Sequence, residues 1–188
     1  MATRLMKEFR EASQSKDTDI RLSVQDNLYK WTAHIQGPPG TPFDGGTFVV
    51  QLDVMEDYPL RAPKARFVTK IFHPNIHFKS GEVCLDILKT AWTPAWTLQS
   101  VCRAIIALLS NAEADSPLNC DAGNLLRSND IRGYNSMARM YTALHATPPA
   151  PSRAGIACSG CVVRSGYVDV GRARGLSPRG ERRTRLGR

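Results

Sequence analysis

Ahead of Ile20 the apolar residues of this chain recur at helical spacing; from Ile20 onward they fall on every second position. Ile20, Leu22 and Val24 alternate with Arg21 and Ser23, and Trp31, Ala33 and Ile35 alternate with Thr32 and His34. Phe48, Val50 and Leu52 alternate in the same way with Val49, Gln51 and Asp53. A period of two turns one face of a segment to a core and the other to water, so these are half-buried strands. Turn-forming residues at Gly37-Pro-Pro-Gly-Thr-Pro42 and Asp44-Gly-Gly46 separate the second run from the third, and Lys64 to Thr69 predicts a fourth strand. Four strands joined by short turns predict an antiparallel meander.

The flanks are helical. Residues 2–14 carry Leu5, Phe9 and Ala12 on one side, with Arg4, Lys7 and Arg10 expected in solvent. Helical spacing returns at Leu98, Val101, Cys102, Ile105, Leu108 and Leu109, and again at Tyr134, Met137, Ala138, Tyr141 and Leu144. A short helix is expected just after Cys120. The order predicts an α+β fold: a four-stranded antiparallel meander with an N-terminal helix and C-terminal helices packed on one side.

Charge divides the 188 residues into a body, 1–146, and a tail, 147–188. The tail holds nine arginines against Asp169 and Glu181, a net +7 of the chain's +8, which leaves the body at +1. After the breaker cluster Thr147-Pro-Pro-Ala-Pro-Ser152 the tail is rich in Arg, Gly and Ser and is expected to be disordered. A nucleic-acid role inferred from total charge would rest on the tail alone, so no nucleic-acid partner is expected. The pair Cys158 and Cys161 is a weak zinc signal without a second pair or a histidine nearby, and no metal is expected. Five scattered cysteines fit free thiols in a reducing compartment, and no apolar run approaches the ~20 residues of a membrane span.

Residues 70–96 show no steady period, and ordered loops of that length are usually functional. Cys84 in this stretch is a candidate nucleophile, weighed evenly against a structural thiol. Cys102, on an apolar helical stripe, is the inert kind; Cys120 fits either. Asn75 offers a neutral N–H donor of the type a developing oxyanion needs, although Pro74-Asn75 also reads simply as a turn. His73 is a general base or, more simply, a packed residue that fixes that turn; His77 has the weaker claim.

These residues stand in a familiar arrangement. His73-Pro-Asn75, then Cys84-Leu-Asp-Ile-Leu88, then Trp92-Thr-Pro-Ala95 resemble the catalytic core of ubiquitin-conjugating enzymes, and Gly37-Pro38, Thr41-Pro-Phe-Asp-Gly-Gly46 and Tyr58-Pro59 precede them in that family's order. Eight residues (76–83) separate Asn75 from Cys84 where most members have seven. With Asp115-Ser-Pro-Leu-Asn-Cys120, this longer loop is similar to the peroxisomal, peroxin-four type branch.

The resemblance implies that Cys84 accepts ubiquitin as a thioester from an activating enzyme and passes it to a lysine or cysteine. Asn75 would serve the oxyanion or hold the loop that forms it; Ser116, beside Asp115, would shape the acceptor's gate, and Asp86 would flank the site. Ligase and activating-enzyme docking is expected at Arg4, Lys7, Leu60, Pro94 and Ala95, and contact with the donor ubiquitin at Arg103 and Ala107. The implied partners are ubiquitin, the activating enzyme, a ring-type ligase and a peroxisomal membrane anchor, at the cytosolic face of the peroxisome, where the import receptor would be modified. No cofactor is expected, since ATP is consumed by the activating enzyme. The alternatives are a general cytosolic member of another branch, a cysteine hydrolase using Cys84 with His73 or His77, and a non-catalytic variant, against which the intact Cys84 motif argues.

Overall fold

The computed structural model describes residues 2–24 and 27–146; the tail, with Cys158 and Cys161, lies outside the described residues. The body runs α1 (Ala2–Gln14), β1 (Ile20–Val24), β2 (Lys30–Gln36), β3 (Thr47–Asp53), β4 (Lys64–Phe67), a 3-10 helix (Asp86–Leu88), α2 (Leu98–Ser110), α3 (Cys120–Arg127) and α4 (Ile131–His145). All strand pairs are antiparallel, in the order β1-β2-β3-β4. This is the meander the alternation predicts.

Register places the apolar positions on one face. Ile35 lies opposite both Ile20 and Phe48, and Leu52 lies opposite Trp31 and Ala65. These side chains, with Ala33, Val50 and Phe67, are buried together with Leu98, Val101, Cys102 and Ile105 of α2. α2 starts in a capping box: the Thr97 hydroxyl accepts from the Ser100 N–H while the Ser100 hydroxyl accepts from the Thr97 N–H.

Three details differ from expectation. β4 stops at Phe67, not Thr69, because the Thr69 hydroxyl takes the next ladder position and accepts the Val49 N–H at 2.9 Å. Leu144 is 66% exposed; the buried stripe of α4 runs instead through Tyr134, Ala138 and Thr142. Arg4 is half-buried and already engaged, donating to Glu8 at 2.6 Å and to the Trp96 carbonyl at 3.1 Å.

The partner of Arg4 is a residue whose sequence context gives no warning. Glu8 is buried on α1 and accepts three hydrogen bonds, from Arg4, from the Tyr58 hydroxyl at 2.6 Å and from the Leu98 N–H at 2.9 Å. The last places a carboxylate at the N-terminus of α2, where orphan N–H groups and the helix dipole favour it. Burial, with Glu8 alongside, holds Tyr58 firmly in its protonated form. One carboxylate therefore ties α1, the loop after β3 and the start of α2.

Candidate active site

Cys84 owes its position to a short hairpin formed by the residues between Asn75 and the cysteine. Ile76 and Val83 pair across it, the His77 N–H donates to the Glu82 carbonyl at 2.8 Å, and the Gly81 N–H returns to the His77 carbonyl at 2.8 Å. All eight residues between Asn75 and Cys84 belong to this hairpin. Gly81 sits at φ 75, and a Cβ there would lie 2.0 Å from the Phe67 carbonyl oxygen, so only glycine fits both the turn and its contact with β4. Phe67 N–H donates to the Gly81 carbonyl, anchoring the hairpin to the edge of the sheet.

Immediately beyond it, the Cys84 N–H donates to the Asn75 carbonyl at 2.8 Å, and the Cys84 side chain is half-buried at the surface. Its sulfur has a neighbour that sequence reasoning missed. The Lys89 Nζ lies 3.2 Å from Cys84 Sγ. That hydrogen bond is the main reason the ammonium titrates above the ordinary lysine range. Only the 3-10 helix between them reveals the proximity. Asp86 begins that helix, is exposed, and has its carbonyl occupied by the Lys89 and Ala91 N–H groups.

The His73-Pro-Asn75 turn is the post on which a second loop hangs. The Asn75 side chain is buried; its Oδ1 accepts the Glu113 N–H and its Nδ2 donates to the Glu113 carbonyl, each at 2.9 Å. Pro74 carbonyl accepts from Leu118 at 2.8 Å and Asn119 at 3.0 Å. Both ends of the segment carrying Asp115 and Ser116 are thus fastened to the turn, while those two side chains remain exposed.

His73 is fully buried. Its Nδ1 accepts the Asn75 N–H at 3.2 Å, which leaves Nε2 as the donor to the Leu108 carbonyl at 3.1 Å. Both nitrogens are occupied, and burial lowers its pKa to about 4. It fixes the turn and has no free lone pair for a substrate proton. His77 Nδ1 is likewise engaged by the N–H and hydroxyl of Ser80. The hydrolase reading therefore lacks its base.

The neutral His73 carries a pH signature. Its folded pKa lies below the ~6.5 of an unfolded histidine, so its contribution to stability is complete above that value. It is lost as pH falls from ~6.5 through about 4, amounting to about 3 kcal/mol. Denaturant midpoints between pH 7 and 5 should fall less steeply in His73→Gln than in the parent; parallel slopes would refute it.

The remaining candidates lie on the surface. Leu60 is 76% exposed, in a loop whose Pro59 carbonyl accepts the Trp92 indole N–H at 2.9 Å. Pro94 and Ala95 are exposed, and Lys7 pairs loosely with Glu11 at 3.8 Å. Arg103 is not a free cation: it bridges Asp17 and Asp19 and so ties α2 to the segment before β1, whereas Ala107 on the same helix is bare. Cys102 is sealed in the core and its thiol is pushed up to about 12 by burial, while Cys120 is exposed at the start of α3. No helix among the described residues is long and apolar enough to cross a membrane.

Comparison with known proteins agrees with this geometry. Residues 4–142 match the family described as ubiquitin-conjugating enzyme. The chain is 64% identical over 148 residues to Protein PEROXIN-4 of Arabidopsis thaliana, covering 77% of this chain and 94% of that one. It is 58% identical over 147 residues to ubiquitin-conjugating enzyme E2 pex4 of Dictyostelium discoideum, covering 77% and 99%. Among solved structures it superposes with a TM-score of 0.72 on H. polymorpha Pex4p in complex with the soluble domain of Pex22p, at 36% identity and covering 78% and 98% of the two chains. A match across nearly the whole body, carrying the linked motifs in order, shows that the chain belongs to the ubiquitin-conjugating enzymes.

Proposed function

We propose that Cys84 carries ubiquitin as a thioester and hands it, with a ring-type ligase, to a lysine or cysteine of a substrate. The observation that carries this reading is the placement of a surface thiol at the end of a hairpin, its main chain anchored to Asn75. In charging, the Cys84 thiolate attacks the thioester carbonyl that the activating enzyme presents; the new C–S bond forms as the old one breaks. In discharge, an acceptor thiolate, or an amine that gives up a proton to water, attacks the same carbonyl, and Cys84 leaves as thiolate. Thiols ionise near pH ~8.5, so exchange between sulfurs needs no proton relay.

Asn75 is best suited to holding the loop: both polar atoms of its side chain are occupied by Glu113, and donating to an oxyanion would require Nδ2 to leave that partner. Ser116 and Asp115 stand at the gate the loop forms, with Asp86 flanking. Lys7, Leu60, Pro94 and Ala95 are the docking patch for activating enzyme and ligase, with Arg4 tying its pieces together. Ala107, with Arg103 beside it, receives the donor ubiquitin; orienting the thioester there would lower the barrier through entropy.

Similarity to the peroxin-4 proteins supports a place at the cytosolic face of the peroxisome membrane, modifying the import receptor. The complex of H. polymorpha Pex4p with Pex22p supports recruitment by a membrane anchor.

Incubation with activating enzyme, ATP and ubiquitin should give an adduct that survives a non-reducing gel and disappears with thiol. Separate addition of free lysine and free cysteine then identifies the preferred acceptor class. Ubiquitin recovered free with no adduct would overturn the transferase reading. A tagged protein spread through the cytosol with no peroxisomal enrichment would favour another branch of the family.

A further inference from the structure

Tyr134 lines a cleft on the body, and its hydroxyl is buried with no hydrogen-bond partner among the described residues. The residue is only 5% exposed, and its ring packs against Phe72 with centroids 6.2 Å apart. Burial holds the phenol in its protonated form, so the group left without a partner is an O–H donor. An orphaned buried donor costs free energy, and a fold tolerates one where something from outside satisfies it.

The cleft has a volume of about 320 Å³ and lies between the turn joining β2 to β3, the end of α2 and the start of α4. Ser110, Asn135 and Arg139 line it as well, and none of their side chains hydrogen-bonds to another described residue. Asn135 and Arg139 lie four residues apart on α4 and so share a face. No acidic residue lines the cleft, and among the described residues no carboxylate pairs with Arg139. Asp44 and Asp130, the acids nearest in sequence, are engaged by the N–H groups of Gly40 at 3.1 Å and Gly133 at 2.8 Å. α2 ends at Ser110 and α4 begins at Ile131, so opposite helix ends border the space and their dipoles offset. The guanidinium of Arg139 therefore sets the sign of the cleft.

We propose that this cleft binds a compact oxyanion, a phosphate or a carboxylate, held by the Arg139 guanidinium and the Tyr134 hydroxyl. The planar fork of an arginine matches two oxygens of either group, and its charge-assisted hydrogen bonds are the strong kind. The Ser110 hydroxyl and the Asn135 amide supply further donors. The volume suits a small ligand or the acidic end of a larger one. Ala112 lines the same cleft and precedes Glu113, whose main chain Asn75 holds, so the ligand would rest against the root of the gate segment. The site is separate from the chemistry at Cys84 and does not depend on the thioester reading.

The test follows the amide resonances of the ¹⁵N-labelled full chain at pH 7 as potassium phosphate or potassium acetate replaces chloride at constant ionic strength. Saturable shifts at Ser110, Ala112, Tyr134 and Asn135 support the site; a response to phosphate assigns a phosphoryl ligand, and a response to acetate alone a carboxylate. Arg139→Gln should weaken binding about tenfold to a hundredfold, with Arg139→Lys recovering part of the loss. Tyr134→Phe distinguishes a ligand-binding hydroxyl from a structural one. In chloride this variant should melt at the parent's temperature or up to about 4 °C above it, because only an unsatisfied hydroxyl is removed. Its anion binding should nevertheless weaken about three- to tenfold. Cys84→Ala should titrate like the parent. No saturable shift with either anion would overturn the proposal and leave water as the partner of the hydroxyl. An unchanged titration in Arg139→Gln, or a Tyr134→Phe variant that melts well below the parent, would overturn it equally.

Discussion

Cys84→Ala should abolish the ubiquitin adduct, and Cys84→Ser should replace it with an ester that resists thiols and breaks in alkali. The expectation follows from how the residue is held. The fold grips Cys84 through its main chain, by the 2.8 Å bond to Asn75, while the side chain stands half-buried at the surface. Neither substitution removes a core contact, so both variants should unfold within about 0.5 kcal/mol of the parent. Charging of the serine variant should be slow, because a hydroxyl is far less ionised than a thiol at neutral pH. Quantifying the adduct on reducing, non-reducing and alkali-treated gels checks all three statements. A thiol-sensitive adduct persisting in Cys84→Ala would move the acyl carrier to another cysteine, with exposed Cys120 the first to examine.

Asn75→Ala should separate the two half-reactions. The substitution deletes a reciprocal pair of hydrogen bonds and leaves the Glu113 N–H and carbonyl without their partners. An unsatisfied buried polar group costs ~1–3 kcal/mol, and the part-exposed setting argues for the lower end, about 2 kcal/mol in all. The loop bearing Ser116 would then be fastened only at its far end, through Pro74. Charging does not pass through the gate and should be near normal. Discharge to free lysine needs an ordered gate and should slow by about tenfold to a hundredfold, within the range that lost orientation or a lost oxyanion donor produces. Single-turnover discharge of pre-charged protein measures this directly. Equal loss of charging and discharge would mean that Asn75 instead builds the seat of Cys84.

How far the sequence could be read follows from where each signal resides. β2 was legible because Trp31, Ala33 and Ile35 bury on one face with no exception. The end of β4 was not, since the Thr69 hydroxyl imitates a backbone acceptor and local pattern cannot register the exchange. Leu144 shows a related limit: it keeps helical spacing with Tyr141 yet points away from the core, which turns through Thr142.

The site divides in the same way. Cys84 and Asn75 stood out because their residue types in an irregular segment carry chemistry of their own. Glu8 and Lys89 did not, because a lone glutamate on a charged helix and a lysine in a polar loop look like ordinary solvated residues. Their roles arise only when residues 50 and 90 positions away, or a single tight turn, bring them a partner. Arg4 differs in the opposite sense: helical spacing put it in solvent, and the fold holds it half-buried against Glu8 and the Trp96 carbonyl.

The clasp at Glu8 bears on how such a protein meets a succession of visitors. Lys7, Leu60 and Ala95 come from three stretches far apart along the chain, and separately they would drift. The elements that carry them are fastened to one another through one carboxylate and Arg4, in an arrangement set when the chain collapsed. Under the proposed function, a visitor landing there would have little left to organise and could leave as readily as it came, which would suit a courier obliged to exchange one companion for the next.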